Sequence, residues 1–245
     1  MSAMALAMVT AGGAAAVPGP DELLSRPLVL VVGLALVSLL PFAFMTVTSF
    51  VKIATVLQIV RGAIGAQGVP SSTVIMALAG ALTLIAMAPT GERIAARAAP
   101  LFAAKALPDT VTLVEKGAEA VREPIREFLV ANSTAAERER FLDVARRARQ
   151  GPNADAERAA LRDDDLTVAI PAFLVTELGE AFAVGFLLYL PFLVIDLVVS
   201  NVLLALGMQM MSPTQVSLPF KLLLFVEING WGLLARSLVA GYHAG

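Results

Sequence analysis

The sequence predicts an all-α protein in which two long, kinked apolar helical hairpins flank a charged, mainly helical soluble insert. Three observations predict it. Hydrophobic residues make up 58% of the 245 residues and charged ones only 16%, against about 45–50% and about 25% in soluble domains. Mean hydropathy is +0.79. And 27 of the 38 Lys, Arg, Asp and Glu residues fall between Glu92 and Asp165, so the charge is confined to one segment between two apolar blocks.

The order of elements follows from that partition. Residues 1–26 read as an Ala/Gly-rich flexible lead without the basic start of a signal peptide. Residues 27–91 form the first hairpin. Its apolar runs, Pro27–Val51 and Gly62–Gly91, each exceed the ~20 residues that span hydrocarbon as a helix. Lys52 and Arg61 are expected to flank the short turn between them. By the positive-inside tendency that turn faces the cytoplasm and the charged insert the other side.

Residues 92–165 form the insert. Thr134 and Glu137 fit a capping box that starts a helix, with Phe141, Leu142, Ala145 and Ala148 on one side and Arg146, Arg147 and Arg149 at its end. Gly151-Pro152 stops that helix. An earlier helix is expected from Asp109 to about Asn132, bent at Pro124, and the NADAERAALRDDD stretch reads as a linker. The charge runs read as a solvated face.

Residues 166–245 form the second hairpin, broken at Gly207–Pro213. Pro41, Pro89, Pro171, Pro191 and Pro219 are expected to kink the apolar helices. At membrane depth such prolines survive only where protein or water satisfies the freed carbonyls.

The residues exclude most chemistry. There is one histidine, His243, at an end expected to fray, and no cysteine, so neither a Ser/His or Cys/His pair nor a thiolate or multi-His metal site can be built. No phosphate-binding or dinucleotide fingerprint is present, and a net charge of -2 gives no pull on nucleic acid. Glu177 and Glu180 share a helix face but lack a partner group for acid–base work. No cofactor is expected.

The charges inside the apolar blocks carry more. Ionisable groups there are expensive and face protein or a water path. Lys221 needs an anion, and the candidates are Glu177, Glu180, Asp196 and Glu227. Otherwise it snorkels to an interface. Met208, Met210 and Met211 sit on the Gly/Pro-bounded break. They are either core filler or a deformable apolar constriction at the hairpin tip.

Long ordered stretches then resemble a known family. TSFVKIATVLQIVRGAIGAQGVPSS at Thr48–Ser72, IAMAP at Ile85–Pro89, the run from Ile170 to Pro213 and LPFKLLLF at Leu218–Phe225 resemble the R subunit of type III secretion export apparatuses. The flagellar counterpart is the flagellar biosynthesis protein P family. Ser212-Pro213, where flagellar members tend to carry Pro-Pro, resembles the injectisome version used in virulence or symbiosis.

The resemblance implies a non-enzymatic, pore-forming subunit, present in about five copies that build a helical ring with the S and T subunits. That ring is the gate in the bacterial inner membrane through which unfolded substrates pass, with the insert on the periplasmic side. It also implies that the hairpins pack largely against sister subunits. Met208, Gln209, Met210 and Met211 would form the pore gasket, with Gln209 where some relatives carry another methionine. Lys221 and Glu177 would form an ion pair between subunits. Glu180, Asp196 and Glu227 are the other acids in apolar surroundings. Glu227 and Asn229 depart from the family's pattern, in which Val-Asp-Gly-Trp stands at residues 228–231. The rivals are a small transporter or ion channel and a scaffold without pore contact.

Overall fold

The computed structural model describes residues 20–66, 68–103, 110–151 and 154–243, and these are all-helical apart from turns and caps. The chain divides into two units, up to Ala43 and from Phe44 onward. Of the first, the described part is the body of helix α1 (Pro20–Val47), whose Val31, Leu34, Val37 and Leu40 are exposed. The first nineteen residues of the expected lead lie outside the described residues; residues 20–26 are the start of α1.

The second unit is built on helices α2 (Phe50–Ile64) and α8 (Leu166–Ala205), which pack along each other. Apolar residues of α2 repeat at helical spacing, and Ile53, Val56, Leu57, Val60 and Ile64 are buried. They meet Ile75, Ala79 and Leu82 of α3 (Ser72–Ala86), Ala181 and Phe192 of α8, and Phe225 of α9 (Pro213–Glu227). Leu234 and Leu238 of α10 (Gly230–Ala240) close this core. The approach of α2 and α8 is set by Gly185, where an added Cβ would stand 2.5 Å from Ile59 Cδ1.

A second, smaller core holds the insert to α8. Phe128 and Leu129 of α5 (Thr110–Ala131) pack on Ala169 and Phe173. Helix α4 (Ala88–Ala103) lies on α5, and α6 (Ala135–Ala148) lies on α8 with α7 (Ala154–Ala160) beside it. Thr134 caps α6 by accepting from Glu137 N at 3.4 Å, one half of the expected capping box, while its own N–H donates to Thr176 Oγ1 at 3.2 Å. Pro124 stands inside α5.

Two expectations need correction. Residues 52–61 are not a turn but the body of α2, and the chain reverses after Gly65, between α2 and α3. Lys52 is therefore a helix residue, 8% exposed, and cannot serve as a loop cation for the positive-inside argument. Within NADAERAALRDDD, Ala154–Ala160 is helical rather than linker. Helix α8 carries Pro171 and Pro191 inside it and runs for 40 residues, about 60 Å at 1.5 Å per residue.

Among the described residues, α8 alone is long and apolar enough to cross a membrane, and up to four spans result if each bent helix pair counts as one. Two of those pairs, α3–α4 and α9–α10, bend by 57°. The first bend carries Pro89 just inside α4, and the second falls at Asn229, a left-handed residue with φ 50°. Asn tolerates that region better than most non-glycine residues.

Candidate functional site

The tip of the second hairpin is fixed from both sides. Helix α8 ends at Ala205. Gly207 turns left-handed with φ 73°, and Met208 N donates back to Leu203 O at 2.9 Å. This closes the helix with a C-terminal cap that a side chain at 207 would strain. On the other side Pro213 starts α9, its ring matching the first helical position. Between them Met208, Gln209, Met210 and Met211 are all exposed, and Met210 is 100% exposed. Methionines placed as core filler would be covered; these are not. The backbone of the tip is fixed at both ends, while its thioether side chains face outward.

Two ion sets lie deeper in the hairpin. In the first, Lys221 is 2% exposed and its Nζ donates to Asp196 Oδ2 at 2.7 Å and to Ala63 O at 3.3 Å. Ser217, one turn before Lys221 on the same face of α9, donates to the other oxygen of Asp196 at 2.5 Å. One ammonium thus ties α9 to α8 and satisfies one of the last carbonyls of α2, which no helical partner can reach.

In the second set Lys52 of α2 meets Glu177 at 3.7 Å and bonds Glu180, one turn further along α8. Glu177 is 1% exposed and also accepts from the Tyr242 hydroxyl. Burial, then the Glu177 carboxylate beside it, raise the Tyr242 phenol above its ordinary pKa, so it stays a neutral donor. The Lys52 ammonium stands 5.1 Å from the centroid of the Tyr242 ring, within cation–π range. Glu180 is half exposed, and Glu227 is exposed.

The predicted site residues therefore fall into groups. The Met tip stands together, and Lys221 is brought to Asp196. Within one chain Lys221 and Glu177 are not brought together; each has a different partner. Sequence reasoning missed Lys52 as the partner of Glu177, although a lysine in an apolar helix was the same signal that singled out Lys221. It also missed Tyr242 and the ordering of the tail. The backbone of His243 exchanges hydrogen bonds with the side chain of Asn132, donating N–H to Oδ1 at 3.0 Å and accepting from Nδ2 at 2.9 Å. Among the described residues no group of three or more His, Asp or Glu could hold a metal ion.

A largely apolar cavity of about 560 Å³ opens between α2, α8, α9 and α10, with Lys52 and Glu180 at one side. Exposed apolar side chains continue along α8 and α9, among them Phe186, Leu187, Val194, Leu197, Leu223 and Val226. Apolar faces of that extent mark contact with lipid or with other protein. Fold and site together define an all-helical membrane-type protein with ions paired inside it and a methionine tip exposed.

Residues 33–238 match the FliP family, and the chain belongs to it. It is 44% identical to the hypersensitivity response secretion protein HrcR of Ralstonia nicotianae, over 87% of this chain and 96% of that protein. It is 43% identical to the Yop proteins translocation protein R of Yersinia pestis, over 91% and 97%. It is 40% identical to the flagellar biosynthetic protein FliP of Caulobacter vibrioides, over 91% and 79%.

Proposed function

We propose that this chain is a pore-forming core subunit of a type III protein export gate in the bacterial inner membrane, through which unfolded proteins pass. It works without a cofactor. About five copies join S and T subunits in a helical ring, covering the apolar faces that one chain leaves open. The charged insert stands on the periplasmic side. The observation that carries the reading is the Met208–Met211 tip: apolar, exposed, and anchored by Gly207 and Pro213. Unbranched thioethers close around cargo of different shapes and reopen, and an apolar constriction excludes water when empty. Relatives with secretion and translocation in their names support the same reading.

Replacing Met208, Met210 and Met211 together by Ala tests it. The expected outcome is an assembled complex that leaks small ions across the inner membrane, and a stalled export substrate that crosslinks to residue 210 in the parent. Unchanged leakage in an assembled complex overturns the gasket. Since the chain has no cysteine, a single Glu139→Cys reports the side of the insert by its labelling from the periplasm.

The ion pair between subunits is proposed in a form that starts from the partners within one chain. Lys221 and Glu177 already have partners in their own chain, so pairing across a boundary is an exchange of partners on assembly. Lys221→Glu is expected to block assembly. Recovery on adding Glu177→Lys supports the exchange. Recovery only on adding Asp196→Lys confines Lys221 to its own chain.

A further inference from the structure

Tyr242 joins parts of the molecule that lie far apart in sequence. Its hydroxyl bonds Glu177 of α8 and lies 3.2 Å from the carbonyl of Ser49, just before α2. One face of its ring lies over the Lys52 ammonium. The ring also stacks on Phe128 of the insert, with centroids 6.1 Å apart and planes 23° from parallel. The next residue, His243, exchanges its two backbone hydrogen bonds with Asn132, where α5 ends. The tail thus engages the insert and the buried ions at once.

We propose that Tyr242 is a positioning residue: its hydroxyl holds Glu177 on Lys52, while its ring and the adjoining His243 backbone clamp the charged insert onto the helical core. The two tasks separate by atom. Glu177 is buried, and Lys52 is shared with Glu180. A carboxylate in that position needs more than one donor, and the phenol supplies the second. The ring task is different, because stacking and cation–π attraction need no hydroxyl. Only where Glu177 is given a role between subunits does this rest on the export-gate reading. In that case the phenol keeps Glu177 turned inward until a neighbour arrives.

The test uses the purified full chain and reads amide exchange, which reports local opening. Tyr242→Ala is expected to speed exchange across residues 131–134 roughly tenfold or more relative to α3. Tyr242→Phe, which keeps the ring, is expected to leave that segment at the parental rate. The hydroxyl is read separately by a thermal double-mutant cycle. Tyr242→Phe is expected to lower the midpoint in the parent and to lower it by less in a Glu177→Ala background, where the hydroxyl keeps only the Ser49 carbonyl. Should the Glu177→Ala chain fail to accumulate, the infrared carboxylate bands of the Tyr242→Phe protein replace the cycle, and a shift from the parent is expected. Equal exchange in Tyr242→Ala and the parent overturns the clamp. Equal losses in both backgrounds, or unshifted bands, overturn the positioning of Glu177. None of these readouts involves export, so the gate reading can fail while this one stands, and the reverse.

Discussion

The insert and the apolar helices both carry ion pairs, yet the same bond does different work in the two places. On α6 Arg147 and Asp143 meet at 2.6 Å, one turn apart, with both side chains more than half exposed. On α2 and α8 Lys52 and Glu177 meet at 3.7 Å, a longer contact, with both nearly covered. Distance alone ranks the exposed pair higher. Environment reverses the ranking, because water competes for the first pair and not for the second. On that face of α6 both charges stay in water. In the apolar helices each charge fixes which helices can lie together, since any other arrangement strands an ion.

The sharpest way to break that comparison is to remove one buried partner. Lys52→Met leaves Glu177 covered with only the Tyr242 hydroxyl to serve it, and stranding a buried charge costs ~3–5 kcal/mol. The denaturation midpoint of the purified chain is expected to fall accordingly. Adding Glu177→Gln is expected to restore much of the loss, because the uncompensated charge is then gone. If the double variant is no more stable than the single one, the cost came from lost packing and the ranking by environment fails.

An intermediate effect sharpens the comparison by leaving charge out. Gly185→Ala puts a methyl 2.5 Å from Ile59 Cδ1 and 3.0 Å from its Cγ2. Overpacking of this kind costs ~1–3 kcal/mol. A smaller side chain at 59, Ile59→Ala, is expected to recover part of the stability of Gly185→Ala, measured by the same unfolding transition. If Gly185→Ala alone is neutral, the Ile59 side chain turns aside and Gly185 does not set the approach of α2 and α8.

How much of this was legible beforehand follows the same division. The charged insert, the helix with its Thr134 cap and the Met tip could be read because each is signalled by neighbours in sequence: a partition of charge, a residue and its third successor, a Gly/Pro pair. That Lys221 needs an anion could be read from its surroundings, and Asp196 stood among the candidates. Which acid it takes could not, because Asp196 and Glu177 differ only in where α8 presents them to α9. Lys52 was misplaced for a related reason. A lysine bounding an apolar run looks like the end of a span, and nothing local shows that α2 begins before it and buries it against α8. Tyr242 and His243 carry no sequence signal at all. Their partners, Glu177 and Asn132, are 65 and 111 residues away.

The smallest expected effect sets the other end of the scale. Asp143→Ala removes the 2.6 Å partner of Arg147, but Arg147 remains in water and loses little by returning to it. Exposed pairs one helical turn apart are worth about 0.3–0.5 kcal/mol, and the Ala that replaces Asp favours the helix by a comparable amount. The net change in midpoint is expected to lie within the error of an unfolding curve, in low salt as in high. A loss above roughly 1 kcal/mol, larger than such pairs usually supply, would mean that the insert's charges are structural in the same sense as Lys52. The distinction between a solvated face and a registered core would then have to be drawn somewhere other than at the water boundary.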